Sequence, residues 1–533
     1  MQRRVNRRPV ISERAARSIT STATIPAPTL GLNAIDNLVT MPAAAAIRLT
    51  NFVAKPYGCE CRKGSKKFVE NLPSTVDSLM VYNAGSELGS RLFAASFDSI
   101  YDATETTSAP VAVRSGFGNA KWESVNFSTP GGRYMLAVNG NDPAQLFDGT
   151  TWTGFTTVAS PSAPGQVSGI DTQLWSNITH YKLRVWAVER NSLKAWYLPI
   201  NSVGGTATSF DFGAYTRKGG HLVALTSWSI DSGKGLDDVF VAVTSEGEIL
   251  IYEGIDPSSS DTWQLRGIWE VAPPASKRCF MKYGPEVLYL SRDGVSVLSR
   301  YLDSDGIDVS AGLSVPIRQL INEAVEKNRL YHGFELIQHT PENVVIVNVP
   351  GSTASTQYVF NTITRAWSKF SGWNAQCFAV FKGDLYFGGR NAVLQAFTGY
   401  RDEADANGLN GKMYQAEAQQ SFNYFDEPGV KKHFRMVRLT ATTDVTPKMQ
   451  VGVNADFDFG IKPTPMTSAA VAASTWNNGL WNAAIWGRES STIKQWHTTY
   501  AVGYAASLTV IINVTGKITW TSSDWIIEAG AAV

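Results

Sequence analysis

Charge is scarce in this chain. Only 17% of its residues are Asp, Glu, Lys or Arg, against about 25% in an average soluble domain. The signs nearly cancel, 47 basic against 46 acidic, for a formal net charge of +1. That excludes a protein whose whole surface grips nucleic acid electrostatically. Cysteine is scarcer still. Four in 533 residues cannot make a disulfide framework. Cys59 and Cys61 form a C-x-C with no second Cys/His pair at zinc spacing, so a structural or incidental role outweighs metal or redox work. No run of about 20 apolar residues occurs, so no helix is expected to span a membrane. The basic start, MQRRVNRRPVISERAAR, leads into polar, Pro-broken sequence where a secretory signal needs an apolar stretch. An amphipathic transit peptide stays open.

Catalytic signatures are missing too. The six histidines, His180, His221, His332, His339, His433 and His497, form no H-E-x-x-H and no close pair at metal spacing. There is no G-x-S-x-G, no Walker A loop and no dinucleotide fingerprint. The expectation is therefore a protein that is not an enzyme and carries no cofactor. One enzymatic reading competes. Propeller glycosidases carry Asp-box turns, S-x-D-x-G-x-T-W, and DGTTW (148–152) comes near, SSDTW (259–263) less so. Those turns are structural, and a glycosidase needs two opposed carboxylates, which the sequence does not single out.

What is present is a recurring phrase. YVFNTITRAWSKF (358–370) places an aromatic and a turn-starting Asn before a Trp; LFDGTTWTGF (146–155) repeats it, and YEGIDPSSSDTWQL (252–265) gives a looser version. Asn and Asp start turns by bonding the backbone just ahead of them. Each phrase reads as two strands joined by a turn, with aromatics facing across. Trp152, Trp263 and Trp367 are the candidate structural anchors, packing between neighbouring sheets.

Hairpins recur along the same stretch, at 91–104, 133–149, 182–198, 238–254, 286–301, 343–360 and 384–397. Taking Phe93, Met135, Trp186, Phe240, Tyr289, Ile346 and Tyr386 as matching points, the repeat is roughly 40 to 57 residues, the size of propeller blades. The expected fold is mainly β: a β-propeller of about six or seven blades over 76–400, with a helical insertion near 313–329. The apolar positions Ile317, Leu320, Ile321 and Val325 share one face of that helix. MPAAAAIRL, starting at Met41, suits one or two helical turns begun by Pro42. RDEADANGLNGK (401–412) reads as a linker into a separate, β-sandwich-like platform domain over 401–533. Residues 1–28 read as a basic flexible arm, and 29–75 as a segment packing on the platform or propeller.

Two further features are candidates for binding. Trp476, Trp481 and Trp486 recur every five residues, which puts successive rings on opposite faces of a strand. That suits core or subunit packing better than a flat sugar platform. Arg3, Arg4, Arg7 and Arg8 open an arm that also holds Arg14 and Arg17 against a single Glu13. Such an arm contacts phosphates, docks on an acidic protein surface, or is simply solvated.

The stretch TLGLNAIDNLVTMPAAAAIRLTNFVAKPYGCECRKGSKKF resembles the nozzle or hub proteins of short-tailed phages, the tail tubular protein B type. The likeness rests on Gly31, Leu32, Asn33, Asp36, Met41, Pro42, Ala46, Leu49, Asn51 and Phe52, on the following Arg62, Lys63 and Gly64, on LMVYNA, and on WNNGLWNAAIW near the other end. It covers both ends of the chain and the middle only as blades, and the long N-terminal arm departs from it. The resemblance implies a virion structural protein made in the host cytoplasm. It implies a six-fold homo-oligomeric ring at the tip of a short tail, docked on an adaptor ring, enclosing the DNA exit channel and holding fibres or spikes. A glycan-binding or glycan-cleaving propeller and an intracellular propeller scaffold are the alternatives from other classes.

Overall fold

The computed structural model describes residues 20–231, 236–303, 312–460, 463–466 and 491–530. The arginines Arg3, Arg4, Arg7 and Arg8 and the ladder Trp476, Trp481 and Trp486 lie outside the described residues.

Six antiparallel sheets stand alone around a common axis, and a seventh blade is one end of a ten-stranded sheet. The innermost strands are, in order, Val76–Tyr82, Glu123–Thr129, Trp175–Tyr181, Leu222–Asp231, Phe280–Tyr283, Glu335–His339 and Cys377–Phe381. Each packs beside the next, and the last packs against the first. We number the blades 1 to 7 in that order. The seven hairpins read from sequence are the second and third strands of the seven blades. These second strands carry apolar runs because they are covered on both faces by neighbouring blades: Val239, Phe240, Val241, Ala242 and Val243 are all fully buried. Separate apolar cores fill the gaps between adjacent blades, Met80–Phe93–Trp122–Phe147 between blades 1 and 2 and Tyr181–Trp186–Phe240–Tyr252 between blades 3 and 4.

Closure comes from far upstream. The outermost strand of blade 7 is Ser65–Val69, antiparallel to Val393–Ala396. The propeller therefore begins before residue 76, and the 29–75 segment is not merely packed against it.

The turn phrases sit at one equivalent place. Phe147 faces Trp152, Gly254 faces Trp263 and Phe360 faces Trp367 where the third strand passes to the fourth. Asp148 accepts the Thr150 and Thr151 amides at 2.8 and 2.7 Å, Asn361 those of Ile363 and Thr364 at 2.9 and 3.0 Å, and Asp256 that of Ser258 at 3.1 Å. Burial alone would raise the Asp148 carboxyl, but these amides and the two threonine hydroxyls outweigh it and hold it at about 2.

Sequence and structure part at both ends. Ala45–Thr50 is a strand, where a helix was expected. Alanine is the best helix former, but propensity is a weak prior, and pairing with Gln415–Gln420 overrides it. Thr20–Pro26 lies along the final strand, Ile518–Ala529, so the arm expectation for 1–28 fails at its last residues. The terminal domain is not separate. One of its two sheets takes Thr20–Pro26, Phe52–Lys55 and Gly58–Cys61 from the N-terminal side. The other continues from the outer strand of blade 6, Trp367–Ser371, through Gly31–Leu32 and Ala45–Thr50 into Gln415–Gln420. Gly31 has φ +80° and lies so close to Trp367 that a side chain would strike its backbone. The helix Arg318–Asn328 lies between blades 5 and 6 with Ile321 and Val325 buried, following a short 3-10 turn, Val315–Ile317.

Trp367 is 1% exposed, tilts against Phe360 and donates its indole N–H to the Leu313 carbonyl at 3.1 Å. Trp367→Ala is expected to cost about 3–5 kcal/mol, the range for truncating a large buried aromatic. A thermal melt indistinguishable from the parent would show that the junction does not depend on this ring.

Candidate functional site

The predicted anchors are dispersed. Trp152 touches Phe93 and Phe147 at the blade 1–2 gap, Trp263 stacks on Trp186 and Tyr252 at the blade 3–4 gap, and Trp367 sits where blade 6 meets the terminal domain. All three are buried. The structure does not bring them into one site.

What converges is charge. Arg278 sits just before the inner strand of blade 5 and reaches the propeller axis. Its guanidinium donates to Glu123 of blade 2 at 2.9 Å, to Glu335 of blade 6 at 3.3 Å, to the Ser78 hydroxyl of blade 1 at 3.1 Å and to the Trp122 carbonyl at 2.9 Å. Glu335 also accepts the Phe378 amide of blade 7 at 3.0 Å, and the Ser78 hydroxyl accepts the Trp122 amide at 2.8 Å. Side-chain exposure is 12%, 15% and 12% for Arg278, Glu123 and Glu335, so water screens the cluster little. Burial alone would depress the arginine; Glu123 and Glu335 outweigh it and keep it charged. Burial pushes the Glu335 carboxyl up to about 7, against the pull of Arg278. Lys277, next in the chain, donates to the Ser176 carbonyl of blade 3 at 3.1 Å, and Asn177 accepts the Leu225 amide of blade 4 at 3.2 Å. All seven blades are thus tied near one axis.

Sequence reasoning missed Arg278, Glu123 and Glu335. The available signal was a charged residue at or just before the start of an inner strand.

A second buried arginine holds the propeller to the terminal domain. Arg62, 1% exposed, donates to Asp402 at 2.8 and 2.6 Å, to Asn51 at 2.9 Å and to the Ser371 carbonyl at 2.7 Å. Its guanidinium lies 3.9 Å from the Tyr414 ring centre and 5.0 Å from that of Trp373, a favourable placement for a cation over aromatic faces. Lys63 pairs with Glu342 at 2.6 Å, and a side chain at Gly64 would overlap the Arg401 carbonyl. Asp402 and Ala404 are 3% exposed and the Asp402 backbone bridges to Lys412, so the start of 401–412 is packed while 406–410 is exposed.

The loops that enter each inner strand share one face with the loops joining second to third strands, because successive strands alternate in direction. Three clefts open on that face. The largest, about 690 Å³, lies over blades 6 and 7 and is lined by Ser355, Asn374, Gln376, Arg390 and Asn391. One of about 270 Å³ lies at the axial mouth, beside Lys121, Lys277, Arg278 and Tyr331. A third, about 200 Å³, adjoins it through Lys277. The face offers hydrogen-bond donors and positive charge, the chemistry of recognition. Among the described residues no cluster of His, Cys, Asp and Glu is arranged to hold a metal ion, and burial pushes all four cysteine thiols up, so they stay protonated. No helix among them is long and apolar enough to cross a membrane.

No family model matches the chain, and no curated protein does. Among solved structures it is similar to YCF48 from Cyanidioschyzon merolae, at 12% identity and TM-score 0.37, over 63% of this chain and 98% of that one. BBS1N, solved in complex with ARL6DN, matches at 9% identity and TM-score 0.38, over 63% and 96%. Raptor of Chaetomium thermophilum matches at 12% and 0.37, over 63% of this chain and 29% of that one.

Two outcomes test the axial cluster. Arg278→Met strands two buried carboxylates and is expected to cost about 3–5 kcal/mol; neutralising Glu123 and Glu335 to Gln in the same chain should restore most of it. A Glu335 value of about 7 in the folded chain stands above its ordinary 4.5. The folded state therefore binds the extra proton, and this group's contribution to stability is greatest below the ordinary value and is lost as pH rises to about 7. Glu335→Gln should flatten melting temperature against pH over that window; an unchanged slope would refute the assignment.

Proposed function

We propose that this chain is a non-catalytic structural protein that docks partners on a rigid propeller. The observation that carries this reading is the ten-stranded sheet, in which blade 6 runs without a break into the terminal domain. Backbone pairing and the buried Arg62–Asp402 contact make the two parts one block, and a block with an open loop face is suited to holding other proteins in fixed geometry.

Within that class we propose the nozzle or hub of a short phage tail: a six-fold ring joined to an adaptor ring, carrying fibres or spikes and passing the genomic DNA. Support comes from the residues behind the resemblance. The 29–75 stretch does not stand apart from the C-terminal region; Ala45–Thr50 and Gly58–Cys61 are strands of the same two sheets as Gln415–Gln420 and Ile518–Ala529. Terminal-domain strand Trp496–Gly503 pairs along one side with Lys432–Thr443, and among the described residues nothing pairs its other side. Trp496, Tyr500 and Val502 on it are 36%, 87% and 51% exposed. An open edge with exposed apolar side chains is a template for another chain, which suits ring contacts made by the terminal domain. An intracellular propeller scaffold needs the same block and the same open face, and differs in having no ring.

Light scattering and negative-stain imaging, on the protein alone and with tail-bearing particles, separate the two. Rings that join the particles are expected, and Tyr500→Lys with Val502→Lys should shift the mass toward monomer. A monomer under every condition removes the tail assignment and leaves the scaffold. Sugar release by the purified protein, lost on replacing one carboxylate, would overturn the non-catalytic reading itself.

A further inference from the structure

The axial mouth holds more cations than its ion pairs match, although Lys277 donates to the Ser176 carbonyl and Asp77 lies near Lys121 and Arg278. Arg278 is matched by Glu123 and Glu335. Lys121, Lys277 and Arg329 line the same cleft of about 270 Å³, and among the described residues none of them has a carboxylate within ion-pair distance. They come from three separate places, the approaches to the inner strands of blades 2, 5 and 6. Beside them the rim turns apolar: Tyr331 is 45% exposed and Leu330 is 90% exposed. Most exposed leucines need no explanation, but this one stands between two residues that line a cationic cleft.

We propose that the axial mouth binds an acidic segment of a partner protein, one carboxylate side chain entering among Lys121, Lys277 and Arg329 while a neighbouring apolar side chain rests on Leu330 and Tyr331. The cleft has room for one or two side chains, and Arg278, held by Glu123 and Glu335, stands between it and a second cleft of about 270 Å³ among the inner strands, so the proposed segment lies across the face. A free inorganic anion would satisfy the cations but leave the apolar rim uncovered. A nucleic acid strand would seek a longer basic track. Burial lowers the Lys277 ammonium, and the neighbouring Arg278, Arg190 and Lys121 lower it further, opposed only by Glu123; an entering carboxylate relieves that crowding. This deepens the scaffold reading by naming the partner's chemistry, and it does not depend on ring formation.

The test is fluorescence anisotropy with the full chain and a labelled extended peptide alternating Glu and Leu. Controls are the same peptide with Gln for Glu, an oligothymidylate of equal length, and inorganic phosphate as competitor. Saturable binding to the Glu peptide is expected, weakened by salt and reduced about tenfold or more by Lys121→Gln with Arg329→Gln, side chains outside the Arg278 cluster. Tyr331→Ser should weaken it while leaving its salt dependence. The proposal is overturned if the Glu and Gln peptides bind alike, if the charge variant binds as the parent does, if the oligothymidylate binds more tightly, or if phosphate alone displaces the peptide at matched ionic strength. Light scattering on the same variant separates the two readings: an unchanged mass with lost peptide binding supports this site whatever the assembly does.

Discussion

An arginine cannot leave water without partners. Transferring its charge into a protein interior costs several kcal/mol even after relaxation, and Arg278 avoids that only while blades 1, 2 and 6 hold their places around it. That dependence runs in both directions. Glu123 and Glu335 are themselves nearly buried, and each is tolerated there because the guanidinium is present. A propeller lacks a single central core, since its inner strands touch only their two neighbours around the axis. The apolar cores between blades bind neighbours pairwise and say nothing about how many blades make the circle. An ionic cluster that requires five blades at once reads the ring as a whole. Its worth therefore lies in specificity more than in net stability, because a set of well-packed apolar residues would replace a buried ion pair at little cost.

Arg62 repeats the logic at the junction. Its hydrogen bonds reach Asn51, Ser371 and Asp402, from the N-terminal strands, from blade 6 and from the connection beyond blade 7. Aromatic faces from Trp373 and Tyr414 complete the enclosure. A chain with few charges thus spends two of them where its parts meet. Exposed ion pairs such as Lys412–Glu403 contribute little, being screened by solvent. The two buried arginines fix geometry that the apolar cores leave free.

These facts explain what was legible in the sequence. The second and third strands of every blade could be read because they are adjacent in the chain, joined by Asp, Asn or Gly turns, and sealed on both faces by neighbouring blades. Phe93, Met135, Trp186, Phe240, Tyr289, Ile346 and Tyr386 all fall in second strands. The Trp152, Trp263 and Trp367 phrases could be read because an Asp or Asn turn and an aromatic pair are local chemistry. Strands paired across the chain could not. Nothing in SKKFV announces Val393–Ala396 as its partner, and the alanines of Ala45–Thr50 carry a local preference that Gln415–Gln420 overrides. The axial site was illegible for a related reason. Arg278, Glu123 and Glu335 each stand where a loop enters a strand, where a charged residue is ordinary, and only the closed ring sets them face to face.

The same long-range pairings impose an order on assembly. Blades 1 to 6 are built from contiguous chain and gain their inter-blade cores as they appear. Blade 7 is incomplete until Val393–Ala396 meets Ser65–Val69, so the ring closes only when its first and last parts coexist. The terminal domain waits longer, because Thr20–Pro26 has as its partner the strand Ile518–Ala529. Until that strand arrives, Thr20–Pro26 and the edge of Gly58–Cys61 lack their hydrogen-bond partners, and unpaired edges are the hazard of large β-proteins during folding. The exposed apolar residues of Trp496–Gly503 belong to the terminal domain, whose sheets need strands from both ends of the chain. On the docking role proposed above, that edge is complete only once both ends of the chain have paired, so it meets a neighbour as part of the finished block.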